Sequence, residues 1–245
     1  MLTFRVMSYH LDGASKLAAE TELFAQVIRA QQPDLVLLQQ FDPALGATPL
    51  SRLADAVGLV AYGHDDGGDC AFLSRYPLTN LRNFPLGHGC RCLKADLDHN
   101  DERIHLFNLV LTCHPLQRKE QVRLLLSDQL LNQRSLPCAT LIAGDFGIPL
   151  WGTGQVNLNT QLKRSRRPLW RANYPAVAPI VGRDRIYFRG PIRARSGHVV
   201  RDTATRRVST HLPLVLTVET CEMRQFLKSP ERASVTAKQP TPICG

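Results

Sequence analysis

No apolar run in the 245-residue chain approaches the ~20 residues that a membrane-spanning helix requires. The start, Met1 to Tyr9, also lacks a basic segment followed by a long apolar stretch and a small-residue cleavage site. These absences predict a soluble, unexported, cytoplasmic chain with no transmembrane segment. Cysteine pairing is missing as well. The seven cysteines are odd in number, and the one close pair, Cys90-Arg-Cys92, has neither zinc nor CxxC redox spacing. Reduced thiols follow, and a chain this long can bury a sizeable core without disulfides or a metal staple. No period of about 20 to 50 residues recurs, which excludes solenoids and propellers.

Acidic residues are scarce in one stretch. Residues 151–211 hold 13 Lys+Arg against 2 Asp+Glu, a local +11, whereas 1–150 hold 13 against 16 and 212–245 hold 4 against 3. The formal +9 of the chain therefore comes from that stretch, which includes Lys163-Arg164-Ser165-Arg166-Arg167, Arg183, Arg185, Arg189, Arg193, Arg195 and Arg206-Arg207. Such a block is a candidate surface for phosphate-bearing partners, and equally a solvated basic face that favours solubility.

Thr3 to Tyr9 alternates as a strand does, and helical spacing follows over Glu20 to Ala30. Asp34 to Gln39 and Ala139 to Ala143 are short continuous apolar runs of the kind found in strands buried on both faces. Further strands are predicted near Asp69 to Ser74, Arg91 to Leu97, Ile104 to Thr112, Arg185 to Arg189 and Pro213 to Thr220. Helices are predicted at Pro49 to Val57 and Arg118 to Leu131. The pattern predicts one α/β domain over residues 1–220 and a disordered Ser/Thr/Pro/Lys-rich tail over 221–245.

Polar residues recur where the chain enters or leaves these strands: His10, Asp12, Gln40, His114, Asp145, Asp184 and His211. Singly, each reads as a turn former or cap; recurrence on strand after strand points to function.

The local wording around them resembles a known family. Met-Ser-Tyr-His-Leu-Asp-Gly (7–13), Pro-Asp-Leu-Val-Leu-Leu-Gln-Gln (33–40), Leu-Ser-Arg-Tyr-Pro-Leu (73–78), Thr-Cys-His-Pro (112–115), Leu-Ile-Ala-Gly-Asp-Phe-Gly (141–147), Arg-Asp-Arg-Ile-Tyr (183–187) and Ser-Thr-His-Leu-Pro-Leu (209–214) are similar, in order, to the motifs of the endonuclease/exonuclease/phosphatase family. The resemblance spans about residues 3–219. It implies a deoxyribonuclease I-like fold: a four-layer α/β sandwich, two face-to-face β-sheets flanked by helices. It also implies phosphoester hydrolysis with a divalent metal, Mg²⁺ or Mn²⁺, on nucleic acid or a small phosphorylated substrate, by a monomer. Carried over, Asp145 orients or deprotonates water, His211 contacts the phosphate, Asp184 fixes the His211 tautomer, His114 is a second phosphate contact, and Asp12 lies near the metal.

Four positions depart from the family pattern. His10 replaces an Asn, Gln40 the metal-binding Glu, Gly147 an Asn and Thr210 an Asp. Gln40 and Thr210 are neutral where the family carries anions, which should weaken Mg²⁺ binding. His10 is a substrate-binding candidate that could also serve a softer ion, or act as an acid or base. Arg183 and Arg185 are candidates for gripping phosphate, and Trp151 and Trp170 for stacking on bases or for packing. Three functional readings stay open: a phosphodiesterase or phosphatase with an altered metal site, a pseudoenzyme that binds nucleic acid or other phosphate-bearing ligands through an Arg-rich mouth, and a scaffold that uses the Arg-rich face for protein contacts.

Overall fold

The computed structural model describes residues 1–12, 14–41, 48–63, 68–100, 102–127, 130–131, 138–148, 163–164 and 172–221. The expected tail beyond residue 221, Trp151, Trp170 and most of the Lys163 to Arg167 run lie outside these residues.

The first half of the chain forms β1 (Thr3–His10), α1 (Ala14–Gln31), β2 (Leu35–Gln39), α2 (Thr48–Val57), β3 (Val60–Tyr62), β4 (Cys70–Ser74), β5 (Leu78–Gly87), β6 (Cys90–His99) and β7 (Glu102–Val110). The second half forms α3 (Pro115–Leu125), β8 (Ala139–Asp145), β9 (Lys163–Arg164), β10 (Asp184–Arg189), β11 (Ile192–Val199), α4 (Thr203–Val208) and β12 (Leu214–Thr220). They build two six-stranded sheets, ordered β11-β12-β1-β2-β4-β3 and β5-β6-β7-β8-β10-β9. Two pairings are parallel, β1 with β2 and β7 with β8, and each uses the intervening helical segment as its crossover.

Burial separates the residues into the layers of a sandwich. Alternate strand residues such as Val6, Leu37, Phe72, Leu106, Leu141 and Leu216 form one core between the sheets. Their neighbours Met7, Leu38 and Leu73 face the opposite way, onto Phe24 and Ile28 of α1 and Leu50 and Leu53 of α2. On the second sheet, Phe107, Leu109 and Ile142 face outward onto Leu125 of α3. Central strands are thus apolar on both faces, as the unbroken runs at 34–39 and 139–143 require. No described helix is long and apolar enough to cross a membrane.

Several elements were not visible in the sequence. β5 has register shifts between Thr79 and Arg82 and between Pro85 and Gly87, and β11 has one between Ala194 and Ser196. Such bulges interrupt alternation, and both strands lie at sheet edges, where one face need not be apolar. α3 begins at Pro115, a residue suited to the first helical turn, and ends at Leu125 instead of continuing to Leu131.

One polar cluster ties the sheets together. Buried Asn108 of β7 donates through Nδ2 to Leu38 O (2.8 Å) and Ala71 O (2.9 Å), and its Oδ1 accepts from Gln39 Nε2 (2.8 Å). Leu38 and Ala71 face each other in the β2–β4 ladder, so the amide adds a second bond to each carbonyl. Asn108→Ala should therefore cost about 2–3 kcal/mol of stability, measured by urea denaturation, because it removes three buried hydrogen bonds at roughly 1 kcal/mol each. A loss below about 1 kcal/mol would mean that solvent fills the gap.

Candidate active site

The functional candidates gather at one edge of the sandwich because strand ends from both sheets meet there. β1 and β2 are parallel and end together, His10 opposite Gln39. β8 ends at Asp145, opposite Asp184 at the start of β10. β12 runs antiparallel to β1, so the segment leading into it returns His211 to the same edge. Ser209 locks this return: its Oγ donates to His10 O (2.7 Å) and accepts from His211 N (3.0 Å).

Two imidazole–carboxylate pairs result. His211 Nδ1 lies 2.7 Å from Asp184 Oδ2, and His10 Nδ1 lies 2.9 Å from Asp12 Oδ1. The two rings stack with centroids 4.1 Å apart and planes 6° from parallel. Burial works against charge on His211, yet the Asp184 carboxylate outweighs it and raises the ring's pKa above the ordinary value. Asp184 is affected in the reciprocal sense: burial disfavours its anion, but the His211 charge and hydrogen bond hold the carboxyl below its usual range. For Asp12, burial is again opposed and overcome, by hydrogen bonds from His10 and Thr210, which lower its pKa. Both imidazoles present Nδ1 to a carboxylate, which leaves Nε2 as the working nitrogen. His10 Nε2 is buried and has no hydrogen-bond partner among the described residues.

Asp145 is fully buried and held from two directions. Its Oδ1 accepts from Gly147 N (2.8 Å) and Arg183 Nε (3.1 Å). Arg183 Nη2 lies 2.8 Å from Oδ2 as an ion pair, and Oδ2 is buried with no hydrogen-bond partner among the described residues. The guanidinium also lies over the Tyr174 ring, 4.7 Å from its centroid, and Tyr174 packs in turn on His211 at 4.7 Å. Burial lowers the Arg183 pKa, but the Asp145 charge more than compensates, so the group stays cationic.

Asn173, invisible to motif reading, organises the centre. Its Oδ1 accepts from Arg183 N (2.9 Å), and its Nδ2 donates to Leu212 O (3.1 Å) and to Asp184 Oδ2. It lies in a Pro-containing loop whose sequence carries no periodic signal; only the loop's path across the strand ends gives it this role.

The structure thus brings together His10, Asp12, Asp145, Arg183, Asp184 and His211. Gln40, just beyond β2, is exposed with a left-handed φ of 52°. His114 caps α3 at the surface with no side-chain capping bond. Arg185 Nη1 donates to Tyr187 Oη at 3.2 Å. The basic stretch does not form a single mouth. Arg193 and Arg195 both bind Glu219, which pairs with Thr3 at the far end of β1. That is about 23 Å from His10 at roughly 3.3 Å per residue. Arg206 and Arg207 occupy the last turn of α4.

A divalent cation was expected here, so its fit can be tested on the donors. Among the described His, Cys, Asp and Glu residues, His10, Asp145 and His211 offer ligand atoms within 4.8 Å of one another. This set does not suit Mg²⁺: two of its three donors are imidazole nitrogens, whereas Mg²⁺ is held mainly by carboxylate and water oxygens. Asp12 accepts from Thr210 N and Oγ1 as well as His10, and Asp145 is ion-paired with Arg183. Nor do the imidazoles converge on a softer ion. A ring nitrogen binds a metal in the ring plane, and an ion cannot lie in two parallel planes at once.

The model of the Endonuclease/Exonuclease/phosphatase family matches residues 9–211. Solved structures show the same fold at low identity. D. rerio TDP2 complexed with a single-strand DNA product is 18% identical with a TM-score of 0.70, covering 90% of this chain and 100% of that one. The Bacteroides thetaiotaomicron mannosyl-6-phosphatase Bt3783 is 15% identical with a TM-score of 0.68, covering 88% and 99%. Truncated Caenorhabditis elegans TDP2 is 16% identical with a TM-score of 0.69, covering 89% and 97%. No curated protein sequence matches.

Proposed function

The chain belongs to the endonuclease/exonuclease/phosphatase family, and from that premise we propose that it hydrolyses phosphoesters, in nucleic acid or a small phosphorylated substrate, with an altered metal requirement. The observation that carries this reading is the His211–Asp184 pair, 2.7 Å apart and buried, at the edge where Asp145 and Arg183 also lie. A charged His211 donates its Nε2 proton to a phosphoryl oxygen, which gains negative charge as the ester breaks. Asp145, acceptor-only and fixed by Gly147 N, orients the attacking water. Members of the family generally depend on a divalent metal, which supplies charge neutralisation when bound. The departures at Gln40 and Thr210 are the basis for expecting that dependence to be altered.

The ion pair of Arg183 with Asp145 favours a second reading, because a carboxylate paired with a guanidinium is a poor base. A phosphate-binding protein without turnover would tolerate that arrangement.

The test uses single-strand DNA, RNA, a sugar phosphate and an activated aryl phosphodiester, each with Mg²⁺, Mn²⁺ or chelator. His211→Ala should lower turnover of the cleaved substrate by at least about 100-fold. If wild type and His211→Ala are indistinguishable on every substrate and ion, hydrolysis is excluded and the binding reading replaces it.

A further inference from the structure

Apolar side chains left on the surface collect at the same edge as the polar centre. Among the described residues, Val177 is 79% exposed and Ile180 63%, and both stand on the loop that continues from Asn173 and Tyr174. Leu116, 71% exposed, is in the first turn of α3, whose Arg118 Nη1 donates to Gly147 O beside Asp145. We propose that this rim docks onto an anionic phospholipid bilayer, with the 174–181 loop as its apolar tip.

The loop is a fastened projection. Tyr174 N donates to Val181 O (3.0 Å) and Val181 N to Tyr174 O (2.9 Å), which closes it as a hairpin. Ala176 N on Thr210 O (2.7 Å) and Leu212 N on Asn173 O (2.8 Å) stitch its base to the segment that carries His211. Residues 175–181 are apolar throughout, and no charged residue lies between 172 and 182, although 151–211 hold 13 Lys+Arg. A tip already held in place gives up little conformational freedom on insertion.

Cations adjoin it. Arg201 Nη2 donates to Ala172 O at the foot of the hairpin (3.2 Å). The exposed Arg206 and Arg207 end α4, just before the Thr210 that holds Ala176. The acid of that segment, Asp202, is taken up in capping Thr205 N, and Glu20 reaches Arg207 only at 3.9 Å. An apolar tip with a basic shoulder matches an anionic bilayer: aliphatic side chains enter the boundary between headgroups and acyl chains, and the arginines meet the lipid charge. Other partners fit less well. Valine and isoleucine offer a nucleic acid neither a ring to stack on nor a hydrogen bond. A folded protein partner needs roughly 800 Å² on each side, more than so few side chains supply.

Co-sedimentation of the full chain with phosphatidylcholine vesicles, with and without phosphatidylserine, tests the docking. The protein should sediment with the serine-containing vesicles and release as salt rises. Val177→Ser combined with Ile180→Ser should weaken partitioning at least about tenfold, and Arg206→Gln combined with Arg207→Gln about fivefold for each charge removed. All four side chains are exposed, so the fold survives these changes. Val60→Ser is the control, an exposed valine at the opposite end of its sheet beside Ser74, and should bind like wild type. No binding to serine-containing vesicles, full binding by either double variant, or an equal loss in Val60→Ser overturns the proposal. So does a lipid-free dimer that Val177→Ser with Ile180→Ser dissolves, which makes a second copy the occupant. Vesicle binding needs no turnover, so its failure and that of the hydrolase reading are distinguishable.

Discussion

Asp184→Asn should reduce turnover at least about 100-fold while leaving the protein folded, because it removes the anion that keeps His211 charged and oriented. The carboxylate sits 2.7 Å from His211 Nδ1 in a site where both groups are buried. A neutral amide can still fill the space but cannot stabilise an imidazolium. The same change should reshape the pH dependence of stability. His211 has a raised folded pKa, so its contribution is fully present below its unfolded value of about 6.5 and is lost as pH rises through the folded value. Asp184 has a lowered folded pKa, so its contribution is present above about 3.9 and is lost as pH falls through the folded value. The pair therefore stabilises most between about pH 4 and 6.5. In Asp184→Asn the loss should be about 2–3 kcal/mol in that window and smaller at pH 8, where His211 can shed its proton. Urea midpoints at pH 5.5 and 8 measure the difference. Equal losses at both would mean that the pair is not ionised in the folded protein.

Restoring the family residue at position 147 should damage the protein instead of repairing it. Gly147 has φ +58°, and a Cβ built there lies 2.2 Å from Thr112 O and 2.5 Å from Leu111 O. Both contacts are backbone, so no flexible side chain can move aside. The turn is also fastened, with Gly147 N donating to Asp145 Oδ1 and Gly147 O accepting from Arg118 Nη1 at 2.6 Å. Asn tolerates a left-handed φ better than most residues, so the collision dominates the cost. Gly147→Asn should destabilise by about 3 kcal/mol or more, since overpacking and the disturbed Asp145 turn act together. Adding it to Gln40→Glu and Thr210→Asp should lower the denaturation midpoint well below that of the double variant. An unchanged midpoint would mean that the β7 to α3 connection shifts freely. Position 147 is thus more than a lost amide: the backbone has closed over the space.

Motif order was legible because it rests on residues adjacent in sequence. The seven segments from Met7 to Leu214 carry the family pattern, and the apolar runs at 34–39 and 139–143 become central strands. His10, Asp145, Asp184 and His211 were all identified and do converge. Asn108 could also have been found, since an Asn inside the apolar run of β7 has to satisfy its amide somewhere. β5 and β11 were hidden by bulges and by edge positions that relax alternation.

The sequence by itself determined the family, the two-sheet architecture and the identity of the acids and imidazoles at the strand ends. Alternation and apolar runs predict one α/β domain, and the two-sheet architecture is what the family resemblance, carried by local motif wording, implies. Only the tertiary structure decided how charge is distributed among those groups. It divided the basic stretch, sending Arg193 and Arg195 to Glu219 at the far end of β1 while directing Arg183 onto Asp145. It also stacked His10 on His211 and gave each its own carboxylate. The physical reason is that ion pairing and ring stacking act over a few ångströms between residues far apart in the chain, a separation that composition and spacing do not encode.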